Sequence, residues 1–401
     1  MRRGTTRRPG DVVTDSVLIT DGLWRKTLAA VRSLGRRGIR VVVGERTRLA
    51  PALWSRYAAR RVVYPSARYR TEQFIARLCA VVERERVGVV LPMEEETLLR
   101  VLRRREALGN HVAIPVADPE TIERLRDKAQ LFQLADSLGV AMPKTYYPES
   151  RADVERIARE AAFPLVVKPR VSTGAVGRRY VYAARDLAAA WSEVDERFAK
   201  PIVQDYIPDG GGAFGASVLV GPRGERLASF VHKRLREYPV SGGASTLRVS
   251  VRDPEMVEIT FRLLEAVAWR GVAMAEFRRD PRDGRPKLIE LNPRFWGSLN
   301  LAIQSGVDFP YLLYRMARGE SIEPVHEYRE GVVGRWLLQG DLLHYLTNPN
   351  RRRMDPSFWR FRGPDWHYDI VSWNDPLPTV AKILSTFLLL YDRELRSFLK
   401  R

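Results

Sequence analysis

The pattern of apolar and polar positions divides the chain into a part where strands alternate with helices and a part where strands follow one another. Short apolar runs lie at 17–20, 39–43 and 87–91, and helical spacing occupies 23–34 and 71–84 between them. Strands that alternate with helices are typical of a parallel sheet covered on both faces. The beginning of the chain is therefore predicted to be a parallel α/β domain.

The middle of the chain changes to paired strands. Alternating runs at 216–232 and 272–291 surround the turns Gly221–Gly224 and Pro281–Gly284, as hairpins do. A long helix is predicted at 254–269, and an earlier helical segment runs over 119–138 up to a glycine stop. This part is predicted to be α+β, with antiparallel strand pairs.

These changes of pattern predict four parts. Residues 1–14 form a basic tail, 15–116 the parallel α/β domain, 117–327 the α+β domain, and 328–401 a C-terminal extension rich in tryptophan, proline and arginine. Within the extension, 378–399 is predicted to be an amphipathic helix that packs on its own protein, with a membrane-surface helix as the alternative. No chemistry is assigned to the extension.

Composition narrows the class of protein. The chain has 401 residues, 45% hydrophobic and 29% charged, which predicts a soluble globular protein. Its net charge of +19 comes from arginines spread along the whole length, which favours a solvated basic surface over a nucleic-acid site. Cys79 is the single cysteine, as expected in a reducing cytoplasm, and the longest apolar stretch is about half of the roughly 20 residues that a membrane span needs.

The most informative segment is the hairpin at 272–291. If its centre lies near Asp283, Glu276 and Glu290 face each other and share one side of the sheet with Asn292, while Ile289 falls on the core side. Facing carboxylates repel, so a strand pair that carries them favours a bound cation. Two carboxylates and an amide oxygen suit Mg²⁺ or Mn²⁺, and the alternative is a solvated pair neutralised by neighbouring arginines.

A second motif combines a lysine with a small-residue loop. Lys168 ends the apolar strand that begins at Leu165, and the loop from Ser172 to Gly177 follows it. Backbone N–H groups of such a loop bind phosphate oxygens, and the lysine adds a positive charge. The spacing does not fit a Walker A motif, and strands elsewhere are also joined by glycine loops.

Five segments in this order resemble the ATP-grasp superfamily, and most closely its carboxylate–amine ligases related to the large chain of carbamoyl-phosphate synthase. The segments are Asp127–Lys128, Val167–Pro169 with its loop, Gln204–Pro208, Ala275–Phe277 and Ile289–Ser298. The resemblance covers roughly residues 16–319. It implies a pre-ATP-grasp parallel α/β domain, followed by an ATP-grasp fold of two α+β subdomains that meet near the hinge at 204–209.

The resemblance also implies roles for individual residues. Lys128 and Lys168 would contact ATP phosphates under a closing loop that includes Ser172, Thr173 and Gly174. The hinge would hold adenine, and the acids would hold the metal ion. The implied nucleotide-binding residues of the hinge are Gln204, Asp205, Tyr206 and Ile207, and the implied metal ligands are Glu276, Glu290 and Asn292. Arg294 would stabilise the transferring phosphoryl group.

Two positions are less well defined. Many members of the superfamily have an acidic residue after the hinge that bonds the ribose, whereas this chain has Ala213 to Ala216 there, and Asp209 is the substitute. Lys233 and Arg236 lie in a basic segment before a glycine pair, and both are predicted to bind an acceptor carboxylate or the γ-phosphate, with an ordinary basic loop as the alternative.

The resemblance implies an ADP-forming ligase. Mg²⁺–ATP would phosphorylate a small carboxylate, and an amine or similar nucleophile would displace phosphate from the acyl phosphate. A homodimer is a further expectation, because dimers are common in the superfamily. The alternative is a non-catalytic ATP-binding module that acts as a sensor or partner protein.

Overall fold

The computed structural model describes residues 16–172, 176–240 and 242–391. The predicted basic tail, Thr173, Gly174 and the end of the predicted C-terminal helix lie outside this part of the chain. Among the described residues, none of the helices has both the length and the apolar character needed to cross a membrane.

The first part of the chain is the predicted parallel sheet with helices on its faces. The strand order is β3-β2-β1-β4, and all three strand pairs are parallel. The strands β1 and β4 are buried along their whole length, because β-branched and leucine side chains pack against helices on either face. The elements are β1 (Ser16–Ile19), α1 (Arg25–Arg36), β2 (Arg40–Glu45), β3 (Arg60–Val63), α2 (Thr71–Arg84), β4 (Val87–Leu91) and α3 (Glu95–Arg103).

The carboxylate of Asp21, just after β1, connects this sheet to the start of α3. It accepts hydrogen bonds from the backbone N–H groups of Met93 and Glu94 at 3.1 and 2.9 Å. The hydroxyls of Thr20 and Thr97 donate to it at 2.6 and 2.7 Å. Asp21 also has a φ of 62°, which aspartate tolerates better than most residues.

We expect Asp21→Ala to lower the free energy of unfolding by about 3 kcal/mol, because a buried donor without a partner costs about 1–3 kcal/mol. Urea denaturation measures the change. Asp186→Ala, in the exposed first turn of a helix, is the control and should change the value by less than about 0.5 kcal/mol. Equal midpoints for both variants would contradict the assigned role of Asp21.

The segment predicted as one helix over 119–138 forms two. Asp127 ends the first helix, and its carboxylate accepts from the backbone N–H of Ala129 at 2.9 Å, so it caps the second. Arg170 donates to the same carboxylate through Nε and Nη2. The prediction of a continuous helix was wrong because the side chain of Asp127 satisfies the backbone of a new helix start. The two helices are α4 (Pro119–Arg126) and α5 (Lys128–Ser137).

A small antiparallel sheet with two helices follows. Its strand order is β5-β8-β6-β7. One apolar cluster joins the sheet to the helices through residues such as Val167, Leu187 and Trp191. The elements are β5 (Thr145–Tyr146), α6 (Arg151–Glu160), β6 (Leu165–Lys168), β7 (Arg179–Val181), α7 (Ala184–Phe198) and β8 (Ile202–Asp205).

The largest sheet has seven strands in the order β13-β12-β9-β10-β11-β14-β15, and only its last pair is parallel. The last two strands come from the C-terminal extension, which therefore continues this sheet. The elements are β9 (Ala213–Val220), β10 (Arg226–Tyr238), β11 (Ala244–Val251), α8 (Pro254–Glu265), β12 (Gly271–Arg279), β13 (Pro286–Asn292), α9 (Leu299–Ser305), α10 (Phe309–Ala317), β14 (Val333–Arg335), α11 (Leu342–Thr347), β15 (Trp366–Tyr368) and α12 (Leu377–Tyr391). The mixed α/β and α+β fold class is confirmed.

The hairpin of β12 and β13 has the predicted register, with Glu276 opposite Glu290. One detail was wrong. A bulge after Glu276 pairs Phe277 with Leu288, so Leu288 and not Ile289 enters the core. Ile289 lines a cavity beside the two glutamates. The extra residue of a bulge shifts the alternation of side chains, which a strict period of two does not predict.

Candidate functional site

The two glutamates of the hairpin and the neighbouring amide form one cluster. Nδ2 of Asn292 lies 3.4 Å from Oε1 of Glu276 and 3.2 Å from Oε1 of Glu290. Arg234 of β10 pairs with Glu276 at 2.5 Å, and Lys128 of α5 pairs with Glu290 at 3.5 Å. Each carboxylate therefore has its own cation, and the pairing strands hold the two acids next to each other.

The two carboxylates have opposite pKa shifts. Burial raises the pKa of Glu276, and the charge of Glu290 adds to the rise, although Arg234 opposes it. Burial also acts on Glu290, but Lys128 and Arg234 outweigh it and lower its pKa. The paired acids thus resist carrying two charges unless further positive charge is supplied.

Two lysines approach the acids from neighbouring elements. Lys128 is the first residue of α5, where the Asp127 cap begins the helix. Lys168, at the end of β6, donates to Oε1 of Gln204 at 2.5 Å. Burial, followed by the charges of Arg178 and Lys128, lowers the pKa of Lys168 to about 7. A lysine in this state gains from a bound anion, because the anion restores its charge.

The predicted hinge is built around a buried amide. Gln204 is fully buried, and its Nε2 donates to the hydroxyl of Thr145 at 2.8 Å. The backbone N–H of Asp205 donates to the carbonyl of Lys144, and burial raises the pKa of the Asp205 carboxyl. Tyr206 packs edge-on against Tyr180 at 5.8 Å between ring centres. Gln204 thereby connects the hinge to Lys168.

Three further predicted residues have distinct positions. Ile207, after the hinge strand, is buried in the protein. Ser172 lines a small cleft together with Lys128, Glu290 and Arg294. Asp209 is 83% exposed and pairs with Arg278 at 3.0 Å. The exposed carboxylate of Asp209 is thus neutralised by an arginine that lines the cavity beside the acids.

Arg294 follows the hairpin directly. Its Nη1 donates to the carbonyl of Phe295 at 2.9 Å, and its Nε lies 4.0 Å from Glu95. Burial lowers the pKa of Arg294, but the charges of Glu94, Glu95 and Glu290 outweigh burial and raise it. A buried, firmly charged guanidinium therefore lies next to the paired acids.

Lys233 does not face the paired acids in this structure. Lys233 pairs in register with Phe214, on the face opposite to Arg234, and its ammonium lies 5.9 Å from the Phe214 ring centre. Arg236 is also unavailable, because it is buried against Asp341 at 2.8 Å. The residue between them, Arg234, reaches Glu276 instead. The run of three basic residues in the sequence did not distinguish the two faces of β10.

The sequence analysis missed a lysine of α1 that lies close to Arg294. Lys26 of α1 pairs with Glu94 at 2.7 Å and donates to the carbonyl of Phe295 at 3.1 Å. Burial, followed by the charge of Arg294, lowers its pKa to about 8, although Glu94 opposes the shift. Lys26 is far from the hairpin in the sequence, and no short motif marks it as part of this site.

A cavity of about 220 Å³, here called the side cavity, opens beside Glu276 and Glu290. Its walls come from the start of α1, the centre of the large sheet and the segment after Arg294. Residues that line it include Arg25, Arg178, His232, Arg234, Ser245, Trp296 and Gly297. Burial, followed by the charges of Arg234 and Arg248, lowers the pKa of His232 well below its usual value, so its imidazole is neutral.

This combination of three sheets, buried lysines and paired acids resembles that of ATP-grasp proteins. Residues 218–339 match the sequence model of a family described as ATP-grasp in the biosynthetic pathway with Ter operon. The resemblance to the ATP-grasp superfamily is confirmed.

The curated relatives include carbamoyl phosphate synthases and D-alanine–D-alanine ligases. The carbamoyl phosphate synthase large chain of Xylella fastidiosa is 26% identical over 219 residues, which are 52% of this chain and 20% of that protein. The D-alanine–D-alanine ligase of Ectopseudomonas mendocina is 28% identical over 173 residues, covering 41% of this chain and 54% of the ligase. The aligned regions thus span about a fifth to a half of these relatives.

Solved structures share the fold at lower identity. A biotin carboxylase from Campylobacter jejuni has a TM-score of 0.66 at 17% identity, covering 77% of this chain and 72% of the other. N5-carboxyaminoimidazole synthetase from Staphylococcus aureus has a TM-score of 0.63 at 15% identity, covering 79% and 80%. The predicted relation to the large chain of carbamoyl-phosphate synthase is confirmed.

Proposed function

We propose that this chain is an ATP- and Mg²⁺-dependent ligase that joins a small carboxylate to an amine or similar nucleophile and releases ADP and phosphate. The observation that carries the proposal is the pairing of Lys128 with Glu290 at 3.5 Å, beside the facing Glu276. This pairing places a lysine that would contact phosphate next to two acids that would bind a metal ion. The curated relatives include a D-alanine–D-alanine ligase, which supports the same class of reaction.

Glu276, Glu290 and Asn292 would hold Mg²⁺ or Mn²⁺. They fit the ion chemically, because two carboxylates and an amide oxygen are hard ligands, and the amide of Asn292 lies within 3.4 Å of both acids. The amide oxygen and nitrogen of Asn292 exchange places by rotation about one bond, so Oδ1 is available to a cation. A bound ion would neutralise charge on phosphate oxygens.

Lys128, Lys168 and the loop residues Ser172, Thr173 and Gly174 would contact the phosphates of ATP. The hinge residues Gln204, Asp205, Tyr206 and Ile207 would hold adenine, and Asp209 would approach the ribose. The lowered pKa of Lys168 supports an anion in this cleft. A related 2-oxoglutarate carboxylase domain has been solved with MgADP, in agreement with this assignment.

The reaction is largely electrostatic. A carboxylate oxygen attacks the γ-phosphorus of ATP, and the bond from that phosphorus to the ADP oxygen breaks. Both reactants are anions, so Lys128, Lys168 and Arg294 must offset their repulsion at fixed positions. The amine nitrogen then attacks the acyl carbon, phosphate leaves with the bonding electrons, and the nitrogen loses a proton.

A hydroxylamine assay tests this reaction without knowledge of the natural amine. Hydroxylamine converts an acyl phosphate to a hydroxamate, so Mg²⁺–ATP, a panel of small acids and hydroxylamine should yield ADP and hydroxamate in equal amounts. ATP binding without turnover on any acid would favour the alternative of a non-catalytic ATP-binding module. We further propose a cytoplasmic location, supported by the single Cys79, and a homodimer, which sedimentation would test.

We expect nucleotide binding to be coupled to protonation of Lys168. Its pKa is about 7 in the free protein. Burial lowers the pKa most strongly, the charges of Arg178, Lys128 and Arg278 also lower it, and Glu290 raises it. Bound phosphates favour the charged form, so at pH 8 we expect uptake of up to one proton per ADP. Affinity should fall by up to about tenfold per pH unit above 7.

Calorimetry in buffers of different ionisation enthalpy measures this proton uptake. Lys168→Arg should remove it, because arginine stays charged over this range. Proton uptake that persists unchanged in Lys168→Arg would assign the linkage to another group.

A further inference from the structure

Arg25, in the first turn of α1, is held rigidly at the wall of the side cavity. Its Nε donates to the carbonyl of Gly297 at 2.6 Å, and its Nη2 donates to that of Ser245 at 3.3 Å. Its guanidinium lies 4.0 Å from the centre of the Trp336 ring. The side chain is 12% exposed. These contacts fix the orientation of the guanidinium and leave Nη1 outside them.

One carboxylate from the C-terminal extension serves two arginines. Asp369 is completely buried, with Oδ2 at 3.3 Å from Nε of Arg25 and Oδ1 paired with Arg248. Arg248 is completely buried as well, and its Nε and Nη1 lack hydrogen-bond partners. Two guanidinium groups therefore share a single negative charge in a region of low dielectric constant.

A third cation adds to this excess. Lys382 of α12 is near enough to Arg25 for that charge to lower its pKa, together with burial, to about 8. Within the described parts of the chain, its ammonium forms no ion pair with a carboxylate. In the cavity wall itself, the indole N–H of Trp296 is buried without an acceptor. Unmatched donors and positive charge favour an anion that accepts hydrogen bonds.

We propose that Arg25 binds a carboxylate of the acceptor acid in the side cavity, and that Asp369 is the positioning residue that orients Arg25. The inference rests on the proposed function, because the side cavity lies beside the acids assigned to Mg²⁺–ATP. It gives the C-terminal extension a role: its Asp369 holds a substrate-binding residue of the first domain. The acid is small, because the cavity has a volume of only about 220 Å³.

The test uses Arg25→Gln and Asp369→Asn in the full chain. Asp375→Asn is the matched control, since Asp375 is a buried aspartate of the same extension that pairs with another α1 arginine, Arg32, at 2.9 Å. Each protein is titrated with acetate, glycine, L-alanine and succinate at saturating Mg²⁺–ATP and hydroxylamine. ADP release gives kcat and KM for the acid, and calorimetry gives the affinity for MgADP.

Arg25→Gln should raise the KM for the acid at least tenfold, with kcat within about threefold and MgADP affinity unchanged. Asp369→Asn should shift KM in the same direction by a smaller factor, and Asp375→Asn should not shift it. If Arg25→Gln does not fold, Arg25→Lys replaces it and should give an intermediate KM. A wild-type KM in a folded Arg25 variant overturns the inference and leaves the proposed function intact, whereas no turnover by the wild type with any acid overturns both.

Discussion

Glu290→Gln should reduce ADP release by about 10²–10³-fold, the range typical for loss of one preorganised electrostatic contact in a transition state. The substitution removes a hard anionic ligand and leaves Lys128 without its carboxylate partner at 3.5 Å. Glu276 remains paired with Arg234, so the second acid does not replace the first. The measurement is the rate of ADP formation at saturating Mg²⁺–ATP, acid and hydroxylamine.

The same variant should change stability little. Glutamine has the shape of glutamate, and the loss of repulsion from Glu276 offsets the loss of the ion pair with Lys128, so we expect a midpoint of thermal unfolding within about 5 °C of the wild type. Glu258→Gln is the control, because Glu258 of α8 forms an exposed ion pair with Arg226 of β10. Full activity in Glu290→Gln would contradict the metal assignment, whereas a strongly lowered midpoint would make Glu290 a structural residue.

The acids could be predicted because one local rule fixes them. The hairpin turn sets the register, the register sets which residues face each other, and like charges that face each other favour a cation. The bulge that moves Ile289 out of the core is not local in this sense, since it depends on how Phe277 and Leu288 pack against the helices. The sequence therefore predicts the facing of Glu276 and Glu290 correctly, but it does not predict the position of Ile289, the next residue.

The acceptor side was less accessible to prediction. Lys233, Arg234 and Arg236 all lie in one basic run, and only the register of β10 with β9 shows which of them faces Glu276. Arg25 and Asp369 are brought together by the packing of α1 against the extension, across most of the chain. Contacts between residues so far apart in the chain leave no periodic pattern or fixed spacing in the sequence, so a single sequence does not predict them.

The C-terminal extension supplies buried aspartates that pair with arginines of the rest of the chain. Its buried aspartates each neutralise arginines of other parts: Asp341 pairs with Arg236, and Asp375 with Arg32. The arginine excess of this chain is thus partly internal. Removing one partner of such a pair leaves a buried charge, which makes the extension an integral part of the fold.

Arg294→Ala should lower kcat by about 10²–10³-fold and change the affinity for MgADP by less than about threefold. The guanidinium lies beside Glu290 and is held by the Phe295 carbonyl. In the proposed reaction, this fixed charge would stabilise the negative charge that the transferring phosphoryl group gains. Arg294→Lys should recover part of the rate, because lysine restores charge without the planar fork.

Arg285→Ala, in the exposed hairpin turn, is the control and should keep full activity. Equal losses of kcat and MgADP affinity in Arg294→Ala would instead assign Arg294 to nucleotide binding, since a transition-state role affects the rate and spares the ground state.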